Sequence, residues 1–264
     1  MSRNLCFSYR MEIRYTRPVC GSCYTLRAVP ETGAVQQVRD LVTRVEPAGS
    51  QWQGRDPFGN RLLCGRDGGM TDRFLFEETG KVTTGLRDSE PAEPYARLVK
   101  FRYGGDLVRP GPLIRQFSGA QVAPFLTGKS SLEAGRMIME KVHDTMAYTK
   151  GRTGMATTAE QALEQGSGVC QDESQVMIAL CRLNGITARY VTGFLYGEGE
   201  SHAWVEVLHE GRWYGLDPTN NIPAGEKHIR IAVGRDAKDC PMNTGIFYGS
   251  AEQEIQVKVK VWEE

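Results

Sequence analysis

No stretch of this chain approaches the roughly 18 unbroken apolar residues that a helix needs to cross a bilayer, so no membrane-spanning helix is expected. A charge excess is missing too. Lys plus Arg and Asp plus Glu each total 32, and the formal net charge is zero. Neither nucleic acid nor an anionic membrane surface is therefore expected as the main partner. The opening residues Met1–Arg10 fall at once into alternation and lack the apolar core of a secretion signal. Seven cysteines, odd in number and irregularly spaced, do not suit a disulfide framework. Reduced thiols in a cytoplasm are the expectation. Internal repeats and low-complexity segments are absent as well.

The cofactor motifs fail on mechanism. Ala123-Pro-Phe-Leu-Thr-Gly-Lys-Ser130 meets the loose spelling of a phosphate-binding loop. Yet Pro124 removes a backbone donor, glycine is scarce where N–H groups should converge, and no clear buried strand precedes it. Cys20-Gly-Ser-Cys23 has no second CxxC and sits at a strand edge rather than before a helix; only Cys6 or Cys64 could complete a metal site in space. No metal and no cofactor are expected.

What is present is a β-rich beginning and a mixed remainder. The chain has 264 residues, 40% of them apolar, enough for one large domain or two small ones. Phe7, Tyr9, Met11, Ile13 and Tyr15 alternate with polar residues, the signature of a half-buried strand. Tyr24, Leu26 and Ala28 repeat the pattern, and further strands are expected at Val35–Val45, Arg61–Cys64 and Arg73–Thr83, separated by turn clusters such as Asp56-Pro-Phe-Gly-Asn60. Residues 87–128, rich in Pro and Gly, read as a wrapping linker. Ser130-Ser-Leu-Glu133 is a capping box that opens a helix carrying Met137, Ile138, Val142 and Met146. A second helix should run from Cys170 to a C′ glycine at Gly185. Strands are then expected at Ala188–Leu195, His202–His209, Arg212–Asp217, His228–Val233 and Ile255–Val261. The expected division is a β domain over residues 1–110 and a catalytic domain over 111–264, with the closing strand 254–262 free to pair elsewhere.

Chemistry concentrates in the second half. Cys170 follows the glycine-flanked turn Gly166-Ser-Gly-Val169 and opens a helix, where unpaired N–H groups and the helix dipole favour a thiolate. The same N–H groups can receive a developing oxyanion. Cys181, mid-helix in the apolar pattern, reads as a packing residue. The stretch Ser201–Asn220 reads as a hairpin turning at Glu210-Gly211. A two-residue turn pairs His209 with Arg212, Val207 with Tyr214 and Trp204 with Asp217. Ala203, Val205, Val207, Tyr214 and Leu216 then share the core face, and His202, Trp204 and Asp217 share the other. His202 and Asp217 become diagonal neighbours, close enough for the carboxylate to orient the imidazole. Trp204 is a candidate for the wall of a substrate groove, although aromatics in a hairpin more often pack.

Gly168-Val-Cys-Gln-Asp172, Ser201-His-Ala-Trp-Val-Glu206 and Gly215-Leu-Asp-Pro-Thr-Asn220 together resemble, in order, the core motifs of the transglutaminase-like superfamily. Phe7–Met11, Asp56–Asn60 and the strands at 228–235 and 255–261 are similar to bacterial transglutaminase-like cysteine proteases with an N-terminal β region. The resemblance implies an α+β fold: an N-terminal antiparallel, sandwich-like β domain beside a papain-like core in which the cysteine-bearing helix packs on an antiparallel sheet. It implies Cys170 as nucleophile, His202 as base and acid, and Asp217 as orienting group, in hydrolysis or acyl transfer at peptide or amide bonds through a thioester. Gln165, five residues before Cys170, is a candidate second oxyanion donor. One difference stands beside the nucleophile: Glu173-Ser174 follow Asp172 where such bacterial proteins often carry an aromatic-Ala-His run. The expected partner is a peptide or protein substrate; oligomeric state is not legible. The alternatives are a true transglutaminase, which admits an amine in place of water, and a non-catalytic binding module on the same fold.

Overall fold

The structure is a computed structural model that describes residues 2–264. Its first part is all strand: β1 (Arg3–Leu26), β2 (Gln36–Glu46), β3 (Ser50–Arg55), β4 (Arg61–Asp67), β5 (Thr71–Thr84) and the short β6 (Glu90–Pro91). Helices α1 (Tyr95–Tyr103), α2 (Pro112–Gln121) and α3 (Ser131–Thr145) follow, then β7 (Ala147–Tyr148), α4 (Ala159–Gln165), β8 (Ser167–Gly168) and α5 (Cys170–Leu183). The remainder is β9 (Ala188–Leu195), β10 (Gly197–Gly199), β11 (His202–His209), β12 (Arg212–Asp217), β13 (Ile222–Pro223), β14 (His228–Gly234), β15 (Asn243–Tyr248) and β16 (Gln253–Glu263). The α+β class read from the sequence is the one observed.

The N-terminal strands build an antiparallel sheet that curls around β1. From Arg3 to Arg14, β1 lies between β5 and β16; from Ser22 to Leu26 it lies between β4 and β15. The sequence pattern at Tyr24 and Leu26 therefore belongs to the same strand as Phe7–Tyr15. Register shifts separate the two halves of β1. Cys20-Gly-Ser-Cys23 is part of that bend. Gly21 has φ +61°, and a Cβ there would come within 2.5 Å of the Tyr248 ring. The motif turns a strand. Among the described residues, neither cysteine belongs to a gathering of metal-ligating side chains. The closing strand β16 pairs with β1, so the C-terminus completes the N-terminal sheet.

The second sheet runs β13-β12-β11-β9-β14, with β6 against β12. Glu210 (φ +48°) and Gly211 (φ +71°) make the two-residue turn of the β11–β12 hairpin, the combination of a type I′ turn. His209 faces Arg212 and Val205 faces Leu216, the register the alternation requires. Helices α3 and α5 cover the Ala203, Val205, Val207 and Leu216 face. Gly135 allows close approach there, since a Cβ would sit 3.1–3.2 Å from Leu216 and Val207.

The expected linker over 87–128 is instead partly helical. Pro112 occupies the first turn of α2, where its missing N–H costs nothing, so proline here starts a helix rather than marking a loop. The phosphate-loop spelling falls on a short 3-10 turn, Ala123–Phe125, with no strand before it. Helix α4, unforeseen in the sequence, opens with a capping box between Thr158 and Gln161.

Among the contacts that join the halves, two lie on the strands around the second sheet's β9 and β14. Phe194 of β9 stacks on Tyr9 at 5.3 Å and packs on Phe7 at 5.6 Å between ring centroids. On the outer edge of β14, amide side chains from the N-terminal half replace a missing strand. Gln36 accepts from Arg230 N–H at 2.8 Å and donates to its carbonyl at 2.9 Å; Asn60 does the same to Val233 at 2.8 Å each. Phe194→Ala should cost about 3–5 kcal/mol of unfolding free energy in urea titration, as expected for a large aromatic removed from a core. A loss under about 1 kcal/mol would show that the ring does not bridge the halves.

Candidate functional site

Cys170 is the first residue of α5 and is partly buried. Its position is locked from both sides. Asp172 accepts the Val169 N–H at 2.8 Å and the Thr153 hydroxyl at 2.7 Å. That carboxylate occupies the space a side chain at 168 would need, because a Cβ on Gly168 would lie 2.6 Å from Asp172 Cβ. The run Gly168-Val-Cys-Gln-Asp172 is thus a packed turn that can exist only with glycine at its start.

His202 and Asp217 meet as the hairpin parity predicts: His202 Nε2 lies 2.8 Å from Asp217 Oδ2, with the carboxylate fully buried. Cys170 lies close enough to the imidazole to raise its pKa. Since Nε2 faces Asp217, Nδ1 is the nitrogen left for the thiol. Burial opposes a charge on His202. Asp217 and Cys170, through hydrogen bonds and charge, outweigh it and push the imidazole up to about 10. Burial likewise opposes ionised Asp217, but hydrogen bonds from His202, His228 and Asn220 hold it far below the ordinary carboxylate range. Its Oδ1 also accepts the N–H groups of Thr219 (3.0 Å) and Asn220 (3.2 Å), and Oδ2 the Asn220 side-chain amide (2.7 Å). The Asp217-Pro-Thr-Asn220 turn therefore folds around its own aspartate.

His228 was expected only as the first residue of a strand. The structure puts its Nε2 3.1 Å from Asp217 Oδ2. No sequence periodicity marks this; the available signal was rarity, since the chain has only four histidines. Glu173, the residue noted after Asp172, is also at the site. Its carboxylate accepts the Thr219 hydroxyl, and burial, with the nearby Asp217 charge, raises its pKa.

The two secondary candidates do not take the expected places. Trp204 is 2% exposed. It packs with Val191, Val233 and Phe58, and its ring meets His228 edge-on at 5.2 Å. The face expected to border a groove is closed by the Asp56–Asn60 loop, so Trp204 is a packing residue. Gln165 is exposed at the end of α4, beyond β8 from Cys170, and its side chain makes no hydrogen bond among the described residues. Solvent-facing groups near the thiol are Tyr148, 51% exposed, and Lys150, which pairs with Glu200 at 3.3 Å.

His202, Asp217 and His228 also form the one gathering of potential metal ligands among the described residues. The donor set does not suit an ion. Gly225 N–H donates to His228 Nδ1 at 3.2 Å, so the proton of the neutral ring sits on Nε2, aimed at Asp217. A cation would have to displace that N–H and the others already filling the carboxylate.

Residues 120–218 match the transglutaminase-like superfamily, and residues 5–83 match the bacterial transglutaminase-like N-terminal region. The chain belongs to the transglutaminase-like superfamily. With that membership goes a general kind of chemistry, that of cysteine-dependent hydrolases and transferases. An uncharacterized protein of Mycobacterium leprae (strain TN) is 36% identical over 124 residues, 43% of this chain and 44% of that protein. One from Mycobacterium tuberculosis (strain ATCC 25618 / H37Rv) is 33% identical over 147 residues, 50% of this chain and 47% of that protein. The matches thus span about half the length of these relatives. The crystal structure of a "putative cysteine protease" from Cytophaga hutchinsonii superposes with a TM-score of 0.77 at 20% identity, covering 100% of this chain and 94% of that one. That likeness is one of fold.

Opposite protonation of the neighbouring imidazoles is a direct consequence of this geometry. His202 is raised to about 10, whereas burial holds His228 below its ordinary value. At pH 8, nitrogen-15 spectra of the side chains should show His202 protonated at both nitrogens and His228 as a single neutral tautomer. By linkage, His202 stabilises the fold fully below about 6.5, its unfolded value, and this contribution disappears as pH rises through about 10. A neutral His202 at pH 8 would contradict the assignment.

Proposed function

We propose that this transglutaminase-like protein is a cysteine-nucleophile hydrolase of peptide or amide bonds, with Cys170, His202 and Asp217 as its triad. One observation carries the reading: the His202 imidazole has Asp217 at 2.8 Å on Nε2 and Cys170 near enough to raise its proton affinity.

The thiolate of Cys170 attacks the carbonyl carbon and forms a C–S bond. The oxygen's negative charge falls at the first turn of α5, where backbone N–H groups lack intrahelical partners. His202, as imidazolium, gives its proton to the leaving nitrogen as the C–N bond breaks, leaving a thioester. Neutral His202 then takes a proton from water. The hydroxide oxygen bonds to the carbonyl carbon, the thiolate departs, and the acid is released. Asp217 holds the imidazole in orientation and balances its charge throughout. A peptide or protein chain is the expected substrate, approaching the side where Tyr148 and the Lys150–Glu200 pair are exposed.

In a screen of peptide amides, Cys170→Ala and His202→Ala should each abolish turnover, and Asp217→Asn should lower it on the order of 10⁴-fold. The losses should be non-additive in the triple variant, because the residues act together. Circular dichroism should show each variant folded. With a primary amine added, the product should remain the free acid; an amide product would move the assignment to amine transfer. Full activity in Cys170→Ala would remove the enzyme assignment from this site.

A further inference from the structure

We propose that His228 is a positioning residue: it donates its Nε2–H to Asp217 Oδ2 and so keeps that carboxylate ionised and aimed at His202. The inference rests on the triad reading above and adds a member that does not touch the reacting atoms.

The geometry fixes the direction of this hydrogen bond. Gly225 N–H lies 3.2 Å from His228 Nδ1 and can only donate, so Nδ1 carries a lone pair. The proton of the neutral ring is then on Nε2, 3.1 Å from Asp217 Oδ2. The ring cannot swing away: its side chain is 3% exposed and lies edge-on to Trp204. The charged and titratable groups facing Asp217 are His202 from β11, His228 from β14 and Glu173 from α5. Those facing His228 are Asp217, His202 and the adjacent Lys227. Thr219 and Asn220 supply the neutral donors.

A buried carboxylate beside one imidazolium has an alternative open to it. It can take the proton, which leaves both groups neutral and the thiolate without its counter-charge. Every additional N–H aimed at Oδ2 lowers the carboxylate's proton affinity and closes that route. Loss of the His228 N–H therefore raises the pKa of Asp217. As pH falls, reactivity that depends on the ionised carboxylate is then lost at higher pH than in the wild type.

The test needs no substrate. Alkylation of Cys170 by iodoacetamide is followed across pH in the full chain, with the site assigned by mass spectrometry and by Cys170→Ala. The reading is the pH at which the rate falls to half its plateau. His228→Gln can place an amide N–H where Nε2 was and should stay within ~0.3 pH unit of wild type. His228→Asn is polar but too short to reach, and His228→Leu has no donor. Each should raise the midpoint by about one to two pH units, the value of one hydrogen bond to a buried charge. Asn serves if Leu does not fold, and thermal melts separate lost stability from a moved midpoint. Unmoved midpoints in Asn and Leu, or a Gln midpoint displaced as far as theirs, would overturn the role of His228 and leave the triad standing. A Cys170 that is inert in the wild type would overturn the proposed function, and this inference with it.

Discussion

The structure is organised around one buried negative charge. Asp217 has no solvent exposure, and an unpartnered carboxylate in such a place would protonate or unfold its surroundings. Each neighbouring element supplies part of the remedy. The turn after β12 provides the Thr219 and Asn220 donors, β11 provides His202, and β14 provides His228. β11 and β12 form a hairpin, but β9 separates β11 from β14. The site therefore exists only when the whole sheet has assembled, so the cost of burying the charge is met by long-range structure.

This gives the N-terminal β unit a physical task. Strand β14 lies at the end of its sheet and, among the described residues, pairs as a strand only with β9. Gln36 and Asn60, from separate N-terminal segments, satisfy the backbone of its other edge as a neighbouring strand would. Phe194, on the neighbouring strand β9, packs into the aromatic interior of the curled sheet. The β unit thus braces the strand that begins with His228. The Asp56–Asn60 loop does this with Asn60 while Phe58 closes the space over Trp204 and Val191.

How much of this could be read from the sequence depended on the range of the interaction. The hairpin was fully legible, because turn residues with positive φ at Glu210-Gly211 and strict alternation fix register locally. Its parity placed His202 beside Asp217 without any tertiary information. The start of α5 at Cys170 and its end before Gly185 (φ +79°) were legible for the same reason. Long-range packing was not. Nothing in the Trp204 pattern says that a loop more than a hundred residues earlier covers that face. Nothing near His228 says that the chain returns it to Asp217. The proline-rich stretch misled because Pro112 has opposite meanings at a helix start and within a helix, and only the structure shows which applies.

Glu173 completes the electrostatic argument. It sits in the first turn of α5, close enough to Asp217 for that charge to raise its pKa, and burial raises it further. Were it ionised, the site would hold adjacent carboxylates, and the imidazolium of His202 would be shared between them. Burial and the Asp217 charge both favour the neutral form of Glu173, which works against this. The neutral form leaves Asp217 as the local negative charge and keeps an oxygen to accept the Thr219 hydroxyl, which belongs to the turn that wraps Asp217. Burial of Glu173 therefore opposes a second negative charge beside Asp217. Exposed to water, the same residue would ionise and compete for the charge on which the proposed mechanism depends.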